Sequence, residues 1–243
     1  MITRPRGLSY HTVRLKKIMK ELLSKSAQIL NTNIGLVLLT GICNIQILSG
    51  VMTYISLLGI ILSFVLGIIV YGRVVAQIQG NTSIQAFEIF KVNWLNYIIA
   101  VILLGLPILL YAQLSKLLPM SIELSIYGKE GIKTLVNILA IYVLPIVFIK
   151  RQHLLAIMAG VVFFIQNLKK SAPLIFLVVC IFFINITAML WLIQQAQPNS
   201  SILSFLPVMV FVNVAVTYLS FLVFTAASLV LIPSSQEEVE NGA

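Results

Sequence analysis

The sequence holds no aspartate and only seven glutamates, two histidines and two cysteines in 243 residues. Charged residues make up 9% of the chain, against about a quarter of a typical soluble domain. So little charge cannot clothe a chain that is 60% hydrophobic, and a soluble globular fold is excluded. His153 has no second His, Cys or Asp at metal-ligand spacing, so it reads as a polar residue at a membrane boundary, and no metal or cofactor is implied. Cys43 and Cys180 fall in separate apolar stretches, where a free thiol behaves as a small hydrophobe. A Walker loop, a Gly-x-Ser-x-Gly elbow and a His-Glu-x-x-His motif are missing, which removes the parts for phosphate cradling, acyl transfer and metal-assisted hydrolysis. The first thirty residues lack the apolar core of a secretory signal, so no cleavage is expected.

What is present is a series of long apolar runs, each near the roughly 20 residues that cross a bilayer. The fold class expected is all-α, a polytopic membrane helical bundle of six transmembrane helices plus amphipathic interfacial helices. Spans are expected at 31–49, Val51–Tyr71, Trp94–Leu114, Thr134–Ile149, 171–193 and Ile202–Ile232. The chain divides into a basic amphipathic helix at 1–30, a six-span membrane domain at 31–232 and an acidic flexible tail at 233–243. Ser49-Gly50 supplies a turn between the first two spans. Trp94 and Tyr97 fit an aromatic belt, Pro107 a kink, Pro207 a bend in the last span, and Ser171 with Pro173 a capped start for the fifth.

Three segments flank the spans without crossing. Between Thr12 and Leu30, Leu15, Ile18, Met19, Leu22 and Leu23 share one helical face, while Arg14, Lys16, Lys17 and Lys20 lie on others. Such a helix lies in the interface with its cations toward anionic headgroups. From Asn81 to Asn93, Thr82 or Ser83 can cap a short helix with Ile84, Phe87 and Phe90 on its apolar side. Residues 152–168 lie between Lys150-Arg151 and Lys169-Lys170, and a single crossing there would put one basic pair outside. A half-embedded helix is therefore expected. The stretch from Ser115 to Lys133, with Lys116, Glu123, Lys129 and Glu130, is expected as the longest external loop. On this arrangement thirteen of the sixteen Lys and Arg share one side with both termini, which the positive-inside rule makes cytoplasmic.

Amides within the runs must meet one another or a neighbouring helix, because hydrocarbon offers no partner. Asn44, Gln46, Asn137, Asn185 and Asn213 are read as such packing groups, and not as acids, bases or ligands. The candidate contact residues for lipid headgroups or a partner are Arg14, Lys16, Lys17, Lys20, Lys150, Arg151, Lys169 and Lys170.

Two words, SIQAFEIFKVNWLNYIIAVILLGLP and LPIVFIKRQHLLAIMAGVVFFIQNLKKSAPLIFLV, together with the order of elements around them, resemble the membrane domain fused to some bacterial glycerophosphodiester phosphodiesterases and its free-standing six-span relatives. They cover under half the chain. The resemblance implies a multi-pass protein of the bacterial inner (cytoplasmic) membrane and carries over no catalytic residue. The words are also loosely similar to each other, about 76 positions apart with Phe87 set against Phe163, as a duplicated unit would be. The function expected is a non-enzymatic scaffold or regulatory subunit whose partners are membrane lipids with anionic headgroups and a membrane or cytoplasmic protein, with no nucleic acid. The alternative is a transporter or permease subunit in which 152–168 docks on a cytoplasmic energising partner. An intramembrane enzyme lacks a pair of catalytic groups.

Overall fold

The computed structural model describes residues 7–44, 53–81, 83–117, 121–151, 154–195 and 205–241, without the side chains of 7–18, 53–56, 122–123, 154, 193, 195 and 233–241. Expectations placed on Gln46, the Ser49-Gly50 turn, Thr82 and His153 lie outside these residues. Among the described residues all regular structure is helical: α1 (Gly7–Asn31), α2 (Ile34–Cys43), α3 (Thr53–Ile78), α4 (Ala86–Leu117), α5 (Ile122–Leu139), α6 (Val143–Lys150), α7 (Leu154–Gln166), α8 (Leu168–Gln195) and α9 (Leu206–Asn241). Four of these, α3, α4, α8 and α9, are each long and apolar enough to cross a bilayer, and two bent pairs, α1–α2 and α5–α6, raise the number to six if each counts as one span. The molecule is an all-α polytopic membrane bundle.

The bent pairs have local causes. Pro145 is the third residue of α6; it has no N–H, and its ring would clash with the carbonyl of Ile141 in a continuous helix. The chain therefore turns over Ala140–Tyr142 and α6 leaves α5 at 46°. The expected fourth span is thus two helices. Its N-terminal part also begins earlier than 134, because the Ser121 hydroxyl accepts a hydrogen bond from the Leu124 N–H (3.2 Å) and opens α5 at Ile122. Much of the external loop expected at Ser115–Lys133 is therefore helix, and Glu130 is buried and paired with Lys133 (3.2 Å) rather than solvated.

At Thr32-Asn33 the chain turns by 80° between α1 and α2. The ten residues of α2 extend about 15 Å, half of a hydrocarbon core of about 30 Å. In contrast, α4 is one helix of 32 residues, not a short interfacial helix followed by a span. The reason is visible at Asn93, whose Nδ2 donates to the Ile89 carbonyl one turn back (2.8 Å). The amide N–H is satisfied inside the helix and imposes no break. Pro107 likewise lies within this helix. Pro207 is the second residue of α9, where the missing N–H is among the orphan donors of the first turn; it opens this helix instead of bending it. Ser171 is no N-cap: α8 begins at Leu168, and the buried Ser171 hydroxyl donates to the Asn167 carbonyl (2.9 Å) and meets the Tyr142 hydroxyl (3.0 Å).

The axis of the bundle is α9, which packs against α1, α2, α3, α6 and α8. Over half of its most apolar window is buried, against 6% for α4. The rim position of α4 leaves Leu95, Ile102, Leu106, Leu109, Leu110 and Leu114 exposed, an outward face suited to lipid tails. Around α9 a ring cluster joins four helices: Tyr71 lies 4.3 Å from Phe224, 4.7 Å from Phe221, 5.5 Å from Phe148 and 5.8 Å from Tyr97 between centroids. Each such pair adds about 0.5–1.5 kcal/mol beyond its area. Trp94 is exposed as a belt residue would be, but Tyr97 packs inward on Phe64 and Phe148, because α3 and α6 offer rings on that side.

The helix between the basic pairs, α7, has 13 residues and extends about 20 Å, short of a crossing. Ala156, Gly160 and Phe164 form its buried face, with Gly160 against the N-terminus of α6 at Val143. Its other face, Leu155, Met158, Val162 and Ile165, is exposed and equally apolar.

Candidate functional site

At one end of the bundle the α1–α2 turn, the C-terminal part of α3, the start of α4 and the end of α6 meet around two adjoining cavities of about 180 Å³ each. A single water needs only about 10–15 Å³ of such volume, so each has room for a small polar group.

The first cavity is lined by Thr32, Asn33, Arg73, Gln77 and Asn81. Its floor is a hydrogen-bonded set: Gln77 Oε1 accepts from Thr32 Oγ1 (3.2 Å) and from Asn33 Nδ2 (3.0 Å), tying the α1–α2 bend to α3. Those bonds explain why the chain turns there, since both polar side chains point at α3 and not along a continuing span. Arg73, one turn before Gln77, is half-buried and makes no hydrogen bond or ion pair among the described residues.

The second cavity is lined by Gly72, Gln79, Glu88, Val92, Asn93, Phe148 and Arg151. Arg151 ends α6 in the left-handed region (φ 53°), a conformation non-glycine residues adopt at a cost of about 1 kcal/mol or more. Its carbonyl accepts from Asn96 Nδ2 (3.1 Å), so α4 holds the residue in place while its exposed side chain edges the cavity. Asn93 is 8% exposed, and its enclosed Oδ1 has no hydrogen-bond partner among the described residues. Glu88 lies in the first turn of α4, where the helix dipole favours a carboxylate. The two cavities share Ala76, Ile84 and Ile89 as a common wall.

Against family models, curated proteins and solved structures, the chain finds no match. What the site can do is therefore argued from its own groups. Two guanidinium groups without carboxylate partners among the described residues offer a phosphate the forked donors it binds best, and the exposed Glu88 edges the second cavity with Arg151.

The residues singled out by sequence fall in several places. Arg151 lines the second cavity; Lys150 is exposed beside it at the end of α6; Lys169 and Lys170 are exposed in the first turn of α8. Arg14, Lys16 and Lys17 lie on α1, where no side chain is described, and Lys20 is exposed. Of the amides, Asn213 bonds back to the Met209 carbonyl (2.9 Å) and Asn185 is half-buried. Asn137 and Asn44 are exposed instead of packed, Asn137 because it sits on the outward face of α5, Asn44 because α2 ends there with its backbone N–H on Thr40. Sequence reasoning passed over Arg73, Gln77 and Asn93 as site residues. The available signal was a run of hydroxyl and amide groups on both flanks of the connector that follows Arg73.

Proposed function

We propose that this is a non-enzymatic multi-pass protein of the bacterial inner membrane, with both termini cytoplasmic, that serves as a scaffold or regulatory subunit through lipid and protein contacts. The observation that carries the reading is Arg73, a guanidinium half-buried in a polar cavity that makes no hydrogen bond or ion pair among the described residues. A half-buried cation of this kind is stabilised by a counter-ion, and at a membrane boundary the abundant one is a lipid phosphate. Lys169 and Lys170 support the same reading: they occupy the first turn of a helix, where the dipole disfavours cations and headgroup phosphates would offset it. The apolar outer face of α7 next to these lysines suits lipid tails or a partner helix. Purification in mild detergent tests the proposal through what co-elutes: bound phospholipid lost in Arg73→Gln supports it, and a stoichiometric ATPase overturns it.

The second reading, a transporter subunit, is favoured by one feature. The Glu130–Lys133 pair lies in the broken α5–α6 element, and ionisable groups in interrupted membrane helices mark ion and substrate paths. Glu130→Gln would abolish transport in that case and leave lipid retention unchanged.

A further inference from the structure

Resting on the lipid-contact reading, we infer that Gln77 is the second phosphate ligand of the first cavity, its side-chain N–H groups binding beside Arg73 while its oxygen is held by the α1–α2 bend.

The bend fixes which end of Gln77 is left over. Asn33 Nδ2 lies 3.0 Å from Gln77 Oε1 and 3.4 Å from the Ile29 carbonyl oxygen, so turning the Asn33 amide over would set its oxygen against that carbonyl. Asn33 therefore donates and Gln77 accepts. The Thr32 hydroxyl stands 3.2 Å from the same Oε1, and the acceptor end of Gln77 is taken up at the bend. Its Nε2 makes no hydrogen bond among the described residues, in a half-buried side chain that lines the cavity one helical turn from Arg73. Residues four apart share one face of a helix, so the guanidinium and the amide serve the same space.

Against these donors the cavity sets no carboxylate among its lining residues. The carbonyls that end α3 are also in use: Val75, Ala76 and Gln77 accept from the N–H groups of Gln79, Asn81 and Gly80 (3.0, 2.8 and 3.1 Å). Gly80 permits that closure with its φ of 80°. A cationic fork with an amide N–H beside it suits an oxyanion, and a phosphate has oxygens for both. Lipid headgroups and inorganic phosphate share this chemistry. Thr32 and Asn33 are then positioning residues, which hold Gln77 in the orientation that presents its N–H groups.

Native mass spectrometry of the full chain from phosphatidylglycerol nanodiscs tests this, together with titration of inorganic phosphate into delipidated protein in detergent. Gln77→Leu should cut lipid retention by about tenfold, the worth of one hydrogen bond to a charged group. Thr32→Val combined with Asn33→Leu releases the oxygen of Gln77 but leaves its N–H groups, and should cost about threefold, the order expected for immobilising one side chain. Equal losses in the two variants overturn the inference, because Gln77 then acts only through the bend. Wild-type retention in Gln77→Leu also overturns it and leaves the lipid-contact reading standing on Arg73. Should Gln77→Leu fail to fold, Gln77→Glu keeps the acceptor at the bend and exchanges the N–H groups for an oxygen; it should lose the lipid, and full retention overturns the inference. A wild type that retains no lipid removes the lipid-contact reading. In that case phosphate binding that is lost in Gln77→Leu supports the Gln77 site with free phosphate as its ligand, and absence of phosphate binding removes the site as well.

Discussion

Asn93 on α4 and Asn167 between α7 and α8 make the same local bond, side-chain Nδ2 to the carbonyl four residues back, at 2.8 Å and 3.1 Å. Around Asn93 the helix runs on unbroken; at Asn167 one helix ends and another begins. The difference lies in what surrounds each. Near Asn167, the Ser171 hydroxyl takes the Asn167 carbonyl and Tyr142 bridges to Ser171, so the polar groups close on one another and lock the break. Near Asn93, the Oδ1 is enclosed and meets no hydrogen-bond partner among the described residues, beside a cavity edged by Arg151 and Glu88. The second region is a closed structural joint, while the first leaves an acceptor unsatisfied beside a cavity.

Substitutions can separate the two. The largest effect is expected at the joint, from Gly160→Ala: the new Cβ would stand 2.8 Å from the Val143 backbone N and Cα, atoms that cannot rotate away. Overpacking of this kind costs about 1–3 kcal/mol, and a fall in thermal stability in detergent reads it. Gly72→Ala, in the cavity region, would bring its Cβ onto the Cγ2 methyl of the buried Ile89, a branch carbon of a residue whose χ1 is stiff in a helix. Overpacking of about 1–3 kcal/mol is offset there by a helix-propensity gain of about 1 kcal/mol, so a loss larger than that at Gly160 would break the comparison. Ser171→Ala is next, at about 1 kcal/mol, within the range of interhelical hydrogen bonds measured in membranes. The smallest effect on stability is expected from Asn93→Leu, within about 0.5 kcal/mol, since it deletes one hydrogen bond and one unsatisfied acceptor together; a loss as large as that of Ser171→Ala would make Asn93 structural.

The all-helical membrane class was legible because charge scarcity and run length bear directly on it. Where breaks fall was not. Pro145, near the end of an apolar run, was noted without its consequence for Ile141, and the capped start of α5 at Ser121 was hidden among charges that read as a loop. Glu130 illustrates the limit: its burial depends on the helix it joins, which no charge count records. The site was less legible still. Arg73 was visible as a basic residue, but that it lacks a partner among the described residues depends on how the Thr32-Asn33 turn, the Gln77 turn of α3 and Arg151 meet from three separate stretches. Asn93 gives no signal until its Nδ2 is seen to be used and its Oδ1 unused.

The most direct test of the account is the lipid stoichiometry of the purified chain with Arg73 and Arg151 both replaced by glutamine. Removing the two guanidinium groups should cost at least one tightly held phospholipid per protein while thermal stability in detergent stays close to that of the wild type. Unchanged lipid retention in a folded double variant would contradict the claim that this end of the bundle is a headgroup site.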